Sequence, residues 1–355
     1  MPTAPTPIRL RCGRSIGPGH PAFLVAEIGN NHQGSLDMAR KMVRAAAASG
    51  ACAVKFQKRD MAALFTRAGL DAPYGGVNSF GDTYGRHRDA LELSGQALAE
   101  LMALARSLGL VFFASAWDVP SLRLLVDLGV ELLKIPSADC VNLPLLRRAG
   151  ETGLPIILST GMSGLSEVDA AVAELRRHHD RIVILHCNSS YPCPDDQVGL
   201  PLIEGLRRRY GLAVGYSGHE RGLGPTVASV AFAPAVIERH FTDSNDREGP
   251  DHKFAMDPAN WAKMVEETRI LERALGSTDK FIAENEKDTA IVQRRCLRAA
   301  RDIKAGEVFT RDMIDVLRPA TPGAIKPDQI ENVIGTKALH DFKYGQELRW
   351  TDLGA

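Results

Sequence analysis

The chain of 355 residues has no excess of charge of either sign: Lys+Arg and Asp+Glu number 43 each, for a formal charge of zero. Without a net positive field, or any block of like charge, it has little with which to hold nucleic acid or an anionic membrane surface. Long apolar runs are also lacking. None approaches the roughly 20 residues that a membrane-spanning helix needs. The N-terminal stretch is rich in proline and arginine and has no apolar core of a secretory signal. Cysteine is sparse and unpatterned. Cys12, Cys52, Cys140, Cys187, Cys193 and Cys296 form no CxxC pair and no zinc spacing. Several lie in apolar runs such as Ala51-Cys52-Ala53-Val54, as expected of reduced, buried thiols in a cytoplasmic protein.

Hydrophobic residues make up 45% of the chain, enough for one large domain and a small one. From about residue 22 to 280 one phrase repeats: a short apolar run, a loop, a helical pattern, a glycine. The eight apolar runs are Ala22–Glu27, Cys52–Phe56, Val111–Ser115, Glu131–Ile135, Pro155–Ser159, Ile182–His186, Ala213–Ser217 and Ala235–His240. They lack strict alternation, as expected of parallel strands covered on both faces. The stretch Gln96–Leu108 places Leu98, Leu101, Met102, Ala105 and Leu108 on one helical face. Gly50, Gly109, Gly129, Gly153 and Gly211 fall just before runs, where helices end.

Eight βα units in series favour a closed (β/α)8 barrel, with an open doubly wound sheet as the alternative. Residues 8–16 predict a hairpin that plugs the barrel floor, and Trp261–Leu275 predicts the eighth helix. Residues 1–280 are thus expected to form a TIM-barrel catalytic domain, 281–296 a polar linker, and 297–355 a small β-rich domain. In that last domain Asp302–Glu307, Ile314–Arg318 and Pro322-Gly323 are short strand-like and turn-like pieces.

In such a barrel the chemistry sits where the strands end. The run ends carry Glu27, Lys55 with Gln57, Ser115, Lys134 with Ser137, Ser159, His186, Ser217 with His219, and Glu238 with His240. A lysine inside a buried run is costly unless paired or used. Lys55 and Lys134 either pair with neighbouring carboxylates or, with Ser137, Ser159 and Ser217, form an anion cradle suited to a phosphate and a carboxylate on one small molecule. His219 and His240 follow adjacent strands and suit a divalent metal; the alternative is that one is a packed, hydrogen-bonding histidine, which is the favoured reading of His186. The long loops 57–92 and 241–258 are placed to bind or cover substrate.

Several motifs together resemble the sialic acid synthase family. These are Ala26-Glu27-Ile28-Gly29-Asn30-Asn31-His32-Gln33-Gly34, Val54-Lys55-Phe56-Gln57, Leu158-Ser159-Thr160-Gly161-Met162, His186-Cys187 with Tyr191-Pro192, Gly215-Tyr216-Ser217-Gly218-His219 and Glu238-Arg239-His240-Phe241-Thr242. The C-terminal module resembles the antifreeze-like (SAF) domain of that family.

The resemblance implies a transferase that joins phosphoenolpyruvate to the open-chain aldehyde of N-acetylmannosamine, its 6-phosphate or a related deoxy amino sugar, releasing phosphate with Mn²⁺ or Mg²⁺ bound. It implies that Lys55, Lys134, Ser137, Ser159, Ser189 and Ser217 hold phosphoenolpyruvate, and that His219 and His240 ligate the metal. Glu27 would act at the reacting centre. Gln57, Asn78, Tyr191 and Asp251 would contact the sugar, and Arg318 would reach the sugar site of a partner subunit in a domain-swapped homodimer. A synthase of legionaminic or pseudaminic acid, a non-catalytic sugar-binding barrel and a metal-dependent hydrolase are the alternatives.

Overall fold

The computed structural model describes residues 5–76 and 78–354. The chain divides into two compact units, Met1–Gly276 and Ser277–Ala355. In the first, strands β1 (Ile8–Arg9) and β2 (Ser15–Ile16) form a hairpin. Strands β3 (Phe23–Gly29), β4 (Ala53–Lys58), β5 (Val111–Ala116), β6 (Leu133–Ile135), β7 (Ile156–Ser159), β8 (Ile182–Cys187), β9 (Ala213–Gly218) and β10 (Val236–His240) then close into one parallel barrel. β10 returns to β3 with His240 opposite Glu27. The doubly wound alternative is excluded by that closure. The five glycines expected before strands all have positive φ, between 61° and 87°.

Side chains alternate across the barrel wall. Leu24, Ala26, Val54, Phe56, Phe112, Leu158, Ile184 and Ile237 point outwards and join helix residues such as Met42, Leu98, Leu101 and Trp261 in the larger core. Phe23, Val25, Ala53, Val111, Phe113, Leu132, Ile157, Val183, Leu185 and Val236 point inwards, and Ile8, Leu10 and Ile16 of the hairpin pack among them. The hairpin therefore closes the N-terminal end of the barrel. The same alternation makes Glu27, Lys55, Ser115, Lys134, Ser159, Cys187, Ser217 and Glu238 the next inward layer, one step towards the strand C-termini.

The second unit pairs β11 (Cys296–Ala299) with β12 (Ile314–Leu317) and β13 (Lys337–Ala338) with β14 (Leu353–Gly354) around Leu297, Ile303, Phe309, Val333, Phe342 and Leu348. Of the short pieces, Asp302–Glu307 forms a turn, with Gly306 at φ 86°, and Ile314–Leu317 a strand. The polar segment 281–296 contains a helix, Lys287–Gln293, because Ala290, Ile291 and Val292 interrupt its polar run. Among the described residues no helix is long and apolar enough to cross a membrane.

Candidate active site

The inward layer lines a cavity of about 300 Å³ at the C-terminal end of the strands. A larger cavity of about 800 Å³ lies at the opposite end of the barrel, lined by strand starts such as Ala22, Ala213 and Ala235. We assign the site to the smaller cavity because titratable and hydroxyl groups from most of the strands converge there, whereas the larger is mostly apolar.

At its floor the two predicted lysines meet on one carboxylate. Lys55 Nζ lies 2.9 Å from Glu238 Oε1 and Lys134 Nζ lies 3.4 Å from the same oxygen, to which Ser217 also donates at 3.2 Å. Lys55 also lies 3.4 Å from Glu27 Oε2, and Gln57 donates to Glu27 Oε1 at 2.6 Å. All four charged groups are almost wholly buried. Burial would raise Glu238, but Lys134 and Lys55 outweigh it and draw it down to about 2. Burial pushes Glu27 up to about 7 against the pull of Lys55, with Glu238 adding to the rise. Burial lowers Lys134 to about 8, offset by Glu238. One carboxylate is thus firmly ionised and the other exchanges a proton near neutrality, a division of roles set by environment alone.

Above the lysines, Ser137 Oγ accepts from Gly161 N at 3.0 Å. Gly161 admits this close approach, since a Cβ there would stand 2.2 Å from Ser189 Oγ and 2.9 Å from Ser137 Oγ. His219 donates its Nδ1 proton to Asn188 O at 2.6 Å, which leaves the Nε2 lone pair free. Its ring centroid lies 5.5 Å from that of His240. Burial lowers His219 to about 4 and holds His240 well below its ordinary value, so both are neutral imidazoles. Two neutral imidazoles on neighbouring strands fit a borderline divalent cation. Among the described residues no group of three or more His, Cys, Asp or Glu side chains converges at ligand spacing, so such an ion would complete its shell with water or substrate oxygens.

Five buried polar atoms in this cavity have no hydrogen-bond partner: Glu27 Oε2, Glu238 Oε2, Ser189 Oγ, His240 Nδ1 and Trp117 Nε1. Buried polar atoms are almost always satisfied, and orphans gathered in one cavity mark where a polar ligand sits.

The structure also places the other candidates. Gln57, Ser159, Tyr191 and Asp251 line the cavity. Tyr191 is half exposed, with its ring centroid 4.2 Å from that of His219. Asp251 is pushed up to about 6 by burial, and its Oδ2 lies 3.7 Å from His240 Nδ1. Asn78 lies outside the lining. It accepts from Gly249 N at 3.1 Å and so ties the 57–92 loop to the loop carrying Asp251. His186 points out of the barrel, its Nε2 2.6 Å from Val198 O, as the packed-histidine reading anticipates. Arg318 belongs to the second unit and donates to Gln293 at 2.9 Å.

Glu238, the partner of both lysines, carries no role in the sequence reading. The signal was there, since it lies two residues before His240 and therefore on the same face. Arg59, Arg88 and Trp117 were likewise missed at the cavity rim. Behind the wall, outward-pointing Arg239 donates from Nη1 to Glu220 Oε1 at 2.8 Å, and Tyr216 and Thr226 donate to the same carboxylate at 2.7 and 2.5 Å. This buried clamp joins the residue after His219 to the residue before His240.

Comparison with known proteins agrees with this geometry. The NeuB family matches residues 42–280 and the SAF domain matches residues 294–354. The chain is 35% identical over 336 residues to the N-acetylneuraminate-9-phosphate synthase of Homo sapiens, covering 94% of this chain and 93% of that protein. It is 36% identical over 339 residues to the N,N'-diacetyllegionaminic acid synthase of Legionella pneumophila, covering 94% and 95%. The crystal structure of an N-acetylneuraminic acid synthetase from Leptospira borgpetersenii in complex with citrate superposes with a TM-score of 0.70 at 32% identity, covering 80% of this chain and 95% of that one. With most of the barrel matched and relatives aligned along nearly its whole length, this chain belongs to the NeuB family.

Proposed function

We propose that this protein is a nonulosonic acid synthase, condensing phosphoenolpyruvate with an N-acetylated amino sugar, N-acetylmannosamine or its 6-phosphate, to a nine-carbon 2-keto-3-deoxy acid and phosphate. The observation that carries the reading is the cavity floor, where two buried lysines share one carboxylate in a cavity with five unpartnered polar atoms. An incoming phosphate and carboxylate compete with Glu238 for the two ammonium groups, and Ser137, Ser159, Ser189 and Ser217 supply hydroxyls around them. The synthases of N-acetylneuraminate 9-phosphate and diacetyllegionaminic acid among the relatives support the reaction class and leave the sugar to be chosen.

The methylene carbon of phosphoenolpyruvate forms the new bond to the aldehyde carbon, water adds at C2, and phosphate departs with its bridging oxygen. Glu27, poised near 7, holds or releases the proton of that water at Oε2, which makes no hydrogen bond. Gln57 fixes the carboxyl through Oε1, and Tyr191 and Asp251 border the sugar. His219 and His240 would hold Mn²⁺ or Mg²⁺, which when bound polarises the aldehyde oxygen as a Lewis acid.

The assignment of 1–280 to catalysis, 281–296 to a linker and 297–355 to the small domain rests on the βα series and the change of texture along the chain, and a cytoplasmic location on the unpatterned cysteines; the SAF label and the domain-swapped homodimer with Arg318 at the partner subunit's sugar rest on the resemblance to sialic acid synthases. The test is release of phosphate from phosphoenolpyruvate across a panel of amino sugars, with and without Mn²⁺. Release that is dependent on the sugar and matched by keto acid supports the reading. No release with any sugar overturns it.

A further inference from the structure

Resting on that reading, we infer that Arg88 and Arg59 form a subsite at the cavity rim for a phosphomonoester on the end of the amino sugar remote from its aldehyde. Lys55, Gln57 and Arg59 follow one another at steps of two, and all three line the cavity. A contact chain links them: Lys55 to Glu27, Glu27 to Gln57, and Gln57 Oε1 to Arg59 Nη2. Four residues of extended chain span about 13 Å. A three-carbon acid seated on the floor lysines does not bridge that span. A six-carbon substrate laid along Gln57 ends at Arg59.

The rim carries a guanidinium, that of Arg88, which forms no ion pair among the described residues. Arg59 is buried, with its guanidinium carbon 4.4 Å from the Trp117 ring centroid, and shares Glu92 with Lys58. Arg88 also lines the cavity, and among the described residues it has no carboxylate within ion-pair distance. Instead its Nε and Nη2 donate to Tyr84 OH at 2.9 and 2.7 Å, which aims the group without discharging it. Burial and, after it, the charge of Arg88 draw Arg59 below its ordinary value, and both side chains line the one cavity. Both arginines draw Asp251 back towards its ordinary value against burial, while its Oδ2 lies 3.7 Å from the neutral imidazole of His240. Trp117 Nε1, a donor only, is buried without a partner in the same lining.

Two guanidiniums held by aromatic rings, with an unpaired N–H beside them, suit a doubly charged, three-oxygen acceptor better than a sugar hydroxyl. The floor lysines already serve the anionic groups of phosphoenolpyruvate, so the rim pair is left for the second substrate.

Steady-state kinetics with N-acetylmannosamine and its 6-phosphate, following keto acid formation, test this in the full-length enzyme and in Arg88→Met and Arg88→Lys. Hydrogen bonds to charged groups of this kind lead us to expect wild-type kcat/KM to favour the 6-phosphate by at least ~10-fold. Arg88→Met should remove most of that preference by raising the KM of the phosphorylated sugar more than that of phosphoenolpyruvate. Arg88→Lys should restore part of it. An equal loss with both sugars, or a rise confined to the KM of phosphoenolpyruvate, overturns the inference. Turnover confined to unphosphorylated sugars overturns it alone, whereas no turnover with any sugar overturns the synthase reading and this inference with it.

Discussion

At the residue scale, the site depends on what lies at a single step of the strand period. Lys55 and Lys134 invite two readings in the sequence, a structural ion pair or an anion cradle. The tertiary structure joins them, because the paired carboxylate is itself the floor of the cavity. Gly161→Ala would drive a methyl group into Ser189 and Ser137. A displacement on the order of 1 Å at a reacting site should lower kcat/KM for phosphoenolpyruvate at least ~10-fold. Titration of phosphoenolpyruvate at saturating sugar checks this, and unchanged kinetics would remove both serines from the cradle. His240→Ala should lower turnover by ~100-fold or more, beyond what loss of a supporting group costs, with the melting temperature preserved. Unimpaired turnover at saturating Mn²⁺ would sink the ligand assignment.

At the element scale, two features hold the site without touching substrate. The Arg239–Glu220 clamp ties the end of β9 to β10. Glu220→Ala strands a buried guanidinium and should cost about 3–5 kcal/mol in unfolding free energy. If the clamp positions the two histidines, Glu220→Gln, which keeps the carbonyl acceptor, should weaken Mn²⁺ binding less than Glu220→Ala does. Equal Mn²⁺ affinity in all three proteins would confine the clamp to stability. The β1–β2 hairpin acts from the other end. Ile16 is 1% exposed inside the barrel floor, and Ile16→Ala should cost about 2–4 kcal/mol in denaturant unfolding while sparing the KM of phosphoenolpyruvate. These elements were legible to different degrees. The eight strands were readable because covered strands are largely apolar and five of them follow a helix that ends in a glycine. The helix Lys287–Gln293 was not, since three apolar residues in a polar stretch make no amphipathic face.

At the scale of the whole molecule, the second unit is a small fold with internal symmetry. Asp302-Ile303-Lys304-Ala305-Gly306-Glu307 and Asp341-Phe342-Lys343-Tyr344-Gly345-Gln346 repeat one pattern. They meet reciprocally, Lys304 on Asp341 at 2.8 Å and Lys343 on Asp302 at 2.7 Å, with backbone bonds exchanged between Ile303 and Phe342. The repeat is written in the sequence, and both copies fold as turns. If this unit serves a partner's site, Arg318→Ala should raise the KM of the sugar more than that of phosphoenolpyruvate. An equal effect on both would argue against a sugar contact.

The sequence by itself determined the eight covered strands and the residue types at each strand end, because hydrophobic burial and glycine-terminated helices are local signals, and it favoured a barrel that closure then decided. Only the tertiary structure decided which end residues face one cavity. Facing depends on the parity of each strand, which turns Glu238 inwards and sends Arg239 and His186 outwards, and on closure, which sets His240 opposite Glu27. The pairing of both lysines on Glu238 follows from that closure, since residues 55, 134 and 238 come within reach of one another only when the barrel curls the strands around a shared interior.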